Sequence, residues 1–330
     1  MQEVAVIATV LNEAEAIGPL LTSLAKQSRL PDELVIVDGG STDGTLAKLE
    51  SMAGCSGLPL KVLSRPGSRI AQGRNAAIAA TRSPLIAVTD AGVRLEEDWL
   101  AQLLAPFESQ DPPDVVSGVF RADPHSTFEL ALGATTLPMP EEIDPQRFYP
   151  SSRSVAFRRA AWDAVGGYPE WLDYCEDLLF DFALRDTGFR FAFAPKAVVH
   201  FRPRRTLGAF FRQYYRYARG DGKADFWRLR HLLRYVTYLV ALPLLVALAV
   251  GHRPLWLLAM VAGLAAMMRR PFKRLLPHLR DLTWREGLLA LCWVPVIRVT
   301  GDVAKMLGYP VGVWWRWHHA PSTPWPRRQC

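Results

Sequence analysis

Three stretches bring polar residues to the end of an apolar run: IATVLNE at 7–13, LVIVDGG at 34–40 and IAVTDAG at 86–92. Thr9, Leu11, Asn12, Glu13, Asp38, Gly39, Asp90 and Ala91 therefore fall where a chain turns. Carboxylates in such places accept hydrogen bonds from base and ribose donors, and one of them could hold a divalent cation. Arg74, in GRNAAI at 73–78, offers guanidinium donors to a diphosphate. Together these types suit a nucleotide. A separate pair, Glu176-Asp177, opens a helical pattern carried by Leu178, Leu179, Phe182 and Leu184. Carboxylates at a helix start either complement its macrodipole or move protons, and the residues alone leave both readings open.

These groups need elements to position them. Apolar runs at 3–9, 33–37, 60–63 and 85–89 alternate with helical patterns at 13–27, 43–53, 71–81 and 95–108. That alternation predicts an α/β domain, a parallel sheet with helices on both faces, and such sheets bind ligands at the carboxyl ends of their strands. Gly39 and Gly40 permit a tight turn there, and Ser41 or Thr42 is expected to cap the helix that follows. No G-x-G-x-x-G follows the first run and no G-x-x-x-x-G-K-[ST] occurs, which argues against dinucleotide oxidoreductases and P-loop NTPases.

The chain has 330 residues, half of them apolar, and a formal charge of +7. Length and composition allow one large or two ordinary domains with a sizeable core. Cys55, Cys175, Cys292 and Cys330 form no C-x-x-C pair, so neither a disulfide framework nor a zinc knuckle is expected. The N-terminus lacks a basic segment and a cleavage site, and no signal peptide is read there. Positive charge concentrates in 202–234, which holds ten Arg or Lys against two Asp and points to an anionic surface or phosphate. Uncharged stretches at 235–251 and 254–268, joined by a turn at His252, suggest a membrane hairpin, and 287–315 suggests a third span or an interfacial helix. Basic flanks place residues 1–230 in the cytoplasm and the His252 turn outside. The expectation is a multi-pass inner-membrane protein with domains at 1–205, 206–234 and 235–318 and a tail at 319–330.

The ordered set VIATVLNEAEAI, VIVDGGSTDGT, GRNAAI, VTDAG, FRRAAWDAVGGYPEW, CEDLLFDFALRDTGFRF and PKAVVH resembles the family 2 glycosyltransferases of the GT-A fold over residues 3–225. The basic segment and hairpin after it resemble membrane-attached bacterial members that build cell-envelope polysaccharide or glycolipid. The resemblance implies transfer of a sugar from a UDP- or GDP-sugar to an acceptor hydroxyl, usually with inversion and with Mn or Mg. Carried over, Thr9, Leu11, Asn12, Glu13, Asp38, Gly39, Arg74, Asp90 and Ala91 would bind the nucleotide sugar. Asp90 would hold the metal, joined by His200, and Asp177 would be the base, with Glu176 as the alternative. Direct displacement leaves Cys175 no nucleophilic role. Gly92 and Gly39 stand where many members carry a second carboxylate, a departure that weakens the metal assignment.

Gly166-Gly167-Tyr168 with Trp171 reads either as a place for a sugar's apolar face or as a core corner. Gln213-x-x-Arg216-Tyr217 resembles the Q-x-x-R-W of processive synthases with Tyr for Trp, and Arg212, Arg216, Arg219 and Lys223 share a helix face. That face could clamp the donor diphosphate, a lipid-linked acceptor's phosphate or lipid headgroups; the hairpin beside it disfavours nucleic acid. The 120–150 stretch is expected as a loop, closing over the acceptor or merely inserted at the surface. The leading expectation is single-sugar transfer to a lipid-linked or other membrane-borne acceptor. Against it stand a processive polysaccharide synthase and a catalytically silent membrane scaffold.

Overall fold

In a computed structural model of the protein, the described residues are 2–54 and 57–319. Cys55, Cys330 and the expected tail from residue 320 lie outside them; Cys175 and Cys292 form no disulfide among the described residues. The chain divides into two units, Met1–Arg121 with Pro140–Arg202, and Ala122–Met139 with Pro203–Cys330. Residues 122–139, placed by the sequence reading with the first 205, thus belong to the second unit.

The first unit begins with β1 (Val4–Val10), α1 (Ile17–Ala25), β2 (Glu33–Asp38), α2 (Thr45–Ala53), β3 (Leu60–Ser64), α3 (Ile70–Ala79) and β4 (Leu85–Val88). Its apolar runs become four parallel strands in the order β3-β2-β1-β4; β1, β2 and β4 are buried on both faces as continuous hydrophobic runs require, while the edge strand β3 is only half-buried. Four further strands extend the sheet beyond the parallel half. They are β5 (Val93–Leu95), β6 (Val115–Ala122), β7 (Val155–Arg158) and β8 (Phe191–Phe201), in the order β7-β6-β8-β5 after β4. β7 runs antiparallel to β4 and β6, and β8 antiparallel to β5, so the sheet is mixed. Three helices complete this unit: α4 (Trp99–Leu104), α6 (Arg159–Ala164) and α7 (Glu176–Asp186). Two apolar clusters form its core; one holds Leu20, Leu24, Ile36 and Trp99, the other Ile7, Val37, Phe157 and Phe180.

The second unit is helical. It takes α5 (Thr127–Thr136) from the stretch expected to be a loop and adds α8 (Leu207–Ala224), α9 (Arg228–Tyr235), α10 (Leu242–Gly251), α11 (Trp256–Leu275) and α12 (Trp284–His318). Phe128, Ala131 and Leu132 of α5 pack with Met268 of α11 and Ala290, Val294 and Ile297 of α12. A helix carrying that apolar face cannot be a solvated loop. Contacts between α8 and α12 depend on missing side chains: a Cβ on Gly308 or Gly312 would sit 2.2 or 2.1 Å from the carbonyl oxygen of Tyr215 or Arg219. This G-x-x-x-G spacing lets two helix backbones touch.

Among the described residues two helices are long and apolar enough to cross a membrane by length and composition: Arg228–Gly251, 24 residues with an 18-residue stretch of mean hydropathy 2.0, and Trp284–His318, 35 residues with an 18-residue stretch of mean hydropathy 1.5. The first comprises α9 and α10 joined by a π-helical turn. The expected span at 254–268 is helical, but α11 runs on through Arg269, Arg270 and Lys273, leaving its uncharged part shorter than the roughly 20 residues a bilayer needs.

Candidate active site at the strand ends

The turn after β1 and the turn after β2 are tied together. Asn12, at a positive φ of 57°, donates its amide to Ser41 Oγ at 2.8 Å and accepts the Thr42 amide on Oδ1 at 2.9 Å. Glu13 donates its amide to Thr45 Oγ1, and Ala14 donates to Asp43 Oδ2. Ser41 and Thr42 are therefore spent on the neighbouring turn, and α2 instead begins after Gly44, whose φ of 90° suits glycine. Asp38 is fully buried; its Oδ2 accepts the amides of Gly40 at 2.9 Å and Ser41 at 3.0 Å, whereas its Oδ1 is buried with no hydrogen-bond partner among the described residues. An orphaned carboxylate oxygen is costly unless a ligand donor meets it. A Cβ at Gly39 would lie 3.2 Å from Ser68 O, so the turn and the 65–69 segment approach too closely for ready admission of the second carboxylate common at this position.

Beside this turn α3 lies against β1. A Cβ on Gly73 would come within 2.7 Å of Thr9 Cγ2, and this close approach carries Arg74 inward. Arg74 is buried and forks between two carboxylates: one nitrogen donates to Glu176 Oε1 at 2.7 Å, the other to Asp90 Oδ1 at 3.2 Å. Burial alone would lower its pKa; Glu176 and Asp90 more than reverse this and raise it. On Glu176, burial and the neighbouring Asp177 outweigh the pull of Arg74 and push the carboxyl up to about 7. Asp177 is only partly buried, and one of its oxygens accepts the Leu178 amide at 2.9 Å. The adjacent carboxylates thus differ in environment, one sealed around a guanidinium and one partly exposed.

Several predicted positions are placed differently. Tyr168 is 2% exposed, stacked on Phe180 at 4.2 Å between centroids, with Arg74 5.4 Å above its ring. It is a core residue with no face left for a sugar. Gly167 sits at φ 81°, where a Cβ would meet Asn75 Oδ1 at 2.8 Å. His200 bonds Glu96 Oε1 at 2.9 Å, and Asp90 is instead held by Arg74 and approached by Arg153 at 3.8 Å. Leu11 is exposed and Ala91 buried. In the second unit the basic stripe divides: Arg212 and Arg216 are exposed, but Lys223 is buried with its ammonium 4.5 Å over the Trp315 ring. Gln213 donates to Tyr217 Oη at 2.7 Å and accepts from Arg204.

Three residues were not singled out by sequence. Asn75 accepts the Tyr168 amide at 2.8 Å and the Trp162 indole at 3.1 Å, and donates to the Tyr168 carbonyl at 2.9 Å, joining α3 to the glycine turn. Its place beside Arg74 was the available signal. Arg153 had none. Asp181, one turn after Asp177, is buried, and burial with the nearby Asp177 raises its pKa well above the usual range.

Among the described residues no three His, Cys, Asp or Glu side chains cluster as metal ligands. The site fits a cation held chiefly by donor phosphates and water. Asp90 supplies one partly exposed carboxylate, and a Cβ at Gly92 would meet nothing within 4 Å, so the space beside it is open.

Residues 5–162 match glycosyl transferase family 2, and residues 147–315 match glycosyl transferase family group 2. The chain belongs to the family 2 glycosyltransferases. Within that family it is 29% identical over 210 residues to the pre-mycofactocin glycosyltransferase of Mycobacterium tuberculosis, covering 60% of this chain and 42% of that one. It is 28% identical over 223 residues to the succinoglycan biosynthesis protein ExoA of Rhizobium meliloti, covering 64% and 67%. The O-antigen chain rhamnosyltransferase RfbN of Salmonella typhimurium is 23% identical over 212 residues, covering 59% and 65%. The chain thus spans 42% to 67% of the length of these relatives. Among solved structures, the mannosyltransferase PcManGT of Pyrobaculum calidifontis, with GDP-Man and Mn2+, superposes at TM-score 0.62 with 20% identity over 92% of this chain and 87% of that one. S. aureus TarS 1-349 with UDP-GlcNAc gives 0.52 with 18% identity over 92% and 90%. Both likenesses are of fold, and the fold of this family 2 chain is GT-A.

Proposed function

We propose that the chain transfers one sugar from a nucleotide sugar to a hydroxyl on a membrane-borne acceptor, with inversion. The observation that carries this reading is the buried Glu176–Arg74–Asp90 fork with the less buried Asp177 next to it in sequence. The orphaned oxygen of Asp38 would accept from the base or ribose, and the tied turns at Asn12 and Ser41 would hold that wall rigid. Asp177, with one oxygen committed to the Leu178 amide, offers the other to the acceptor hydroxyl and takes its proton. The acceptor oxygen bonds the anomeric carbon as the bond from that carbon to the diphosphate oxygen breaks, its electron pair leaving with the diphosphate. Glu176 fixes Arg74, and Arg74 fixes Asp90. When bound, a divalent cation on Asp90 would offset negative charge on the leaving diphosphate. A bilayer setting is supported by the two long apolar helices and by exposed Leu239, Leu244, Val250 and Leu258.

The test is nucleotide diphosphate release by the detergent-solubilised chain over a panel of UDP- and GDP-sugars with membrane lipid extract, with and without Mn or Mg. Asp177→Asn should bind donor normally yet lose turnover by about 10²–10⁴-fold. Near-normal turnover of that variant would refute Asp177 as base, and donor binding without release in the parent protein would favour the silent scaffold. The processive alternative predicts products longer than one added sugar.

A further inference from the structure

α12 is apolar enough to cross a bilayer, yet it carries Arg298, Asp302 and Lys305 at spacings of four and three, on one face. Charges in such a helix are costly, face the interior of a bundle and mark functional positions. Here the carboxylate is fully used. Asp302 accepts Arg234 Nε on Oδ1 at 2.8 Å and Tyr238 Oη on Oδ2 at 3.1 Å, and Arg298 Nε lies 3.3 Å from the same Oδ2. Arg234 also contacts His231 Nδ1 at 3.1 Å, and His231 bonds Asp221 with its other nitrogen at 3.1 Å. Among the described residues no carboxylate comes within ion-pair distance of Lys305, although Asp302 and Asp221 are near enough to act on it; its ammonium lies 4.8 Å over the Tyr214 ring. Arg234, Arg298 and Lys305 face Asp221 and Asp302, three cationic side chains against two carboxylates, a surplus of one among these five.

That surplus borders a cavity of about 100 Å³ within the second unit, lined by Thr135, Tyr214, Arg298, Gly301, Asp302 and Lys305 among others. The volume is ample for several waters or one tetrahedral oxyanion. A guanidinium and an ammonium on one wall match phosphate oxygens, and Asp302 is neutralised by its own two arginines. Long apolar helices beside the cavity favour a phosphate that carries acyl chains over a free one.

We infer that this cavity binds a single phosphate group, held by Lys305 and Arg298, of the kind carried by a membrane lipid. It is a binding site within the second unit and requires no sugar transfer, so it stands or falls separately from the assignment of Asp177. The full chain in neutral detergent should be titrated with phosphatidic acid, with phosphatidylcholine and with inorganic phosphate, following thermal unfolding and equilibrium binding. Saturable binding of phosphatidic acid that weakens at least tenfold in Lys305→Met, and not in Lys273→Met at an exposed lysine of α11, is the expected result. Lys305→Arg should restore it. Equal binding of inorganic phosphate would show that the phosphate alone suffices; binding of the lipid only would identify a headgroup site. Should Lys305→Met not be recovered folded, Lys305→Gln makes the same comparison. Absence of saturable binding, or unchanged binding in the Lys305 variants, overturns the proposal.

Discussion

Arg74 concentrates more consequence than any other side chain in the first unit, since it is the shared partner of Glu176 and Asp90 in a buried setting. Arg74→Ala removes one partner of a buried ion pair and should cost about 3–5 kcal/mol in denaturant unfolding. Arg74→Lys keeps the charge but not the fork and should lie between alanine and the parent. Glu176 makes the neighbourhood sensitive to pH. Its folded carboxyl, pushed up to about 7 against an ordinary 4.5, holds its proton more tightly than in the unfolded chain. Its contribution is therefore present below about 4.5 and lost as pH rises through about 7. Asp181, raised by burial, adds a slope of the same sign. Stability measured from pH 5 to 7.5 should fall with pH, and Glu176→Gln should flatten part of that fall; an unchanged slope would contradict this account. Asp38, Asp90, Glu176 and Asp177 could be singled out because each stands at a turn or helix start, whereas Arg74 lies inside α3, not at the helix start expected for it. The partners of His200 and Asp90 were not legible, because Glu96 and Arg153 reach them only through strand pairing and chain return.

Helices and strands show where local pattern suffices. β1, β2 and β4 are continuous apolar runs closed by turn residues, and the run itself marks them, although β4 is only four residues long. β5 has three residues and exists through its pairing with β8, Val93 opposite Phe201, so nothing local announces it. α1 begins at Ile17, later than the expected 13, because Glu13 and Ala14 give their amides to Thr45 and Asp43. α5 looked like a proline-rich loop, yet Ser126 caps it by accepting the Glu129 amide at 3.2 Å. Packing between α8 and α12 makes a prediction of its own. Gly312→Val would drive a side chain into the Arg219 carbonyl region, where a Cβ already stands 2.1 Å away. Since backbone rather than a flexible side chain must yield, the variant should lose at least about 1–3 kcal/mol. The readout is thermal unfolding of the detergent-solubilised chain, and Gly251→Ala, with nothing within 4 Å, is the control expected to unfold like the parent.

For the whole molecule, composition set the C-terminal third apart, through its uncharged stretches at 235–251 and 254–268. The number of spans was harder to read, because 254–268 looks uncharged until its helix is seen to continue into Arg269 and Arg270. If Arg228–Gly251 and Trp284–His318 enter a bilayer, the expressed chain should sediment with membranes and resist both alkaline carbonate and molar salt. Release by salt alone would instead mean attachment through the exposed arginines, each worth about 1 kcal/mol at an anionic surface.

The route of the chain carries one more consequence. It leaves the first unit at Arg121, contributes α5 to the second, returns at Pro140 and departs again at Pro203. A single-crossover transplant at 203 between two relatives would set a foreign α11 and α12 against a resident α5, disturbing the Phe128, Leu132, Val294 and Ile297 cluster. A two-segment exchange that also carries 122–139 keeps that cluster intact. Recombination within this family, in the laboratory or in a genome, should therefore succeed more often when both segments travel together.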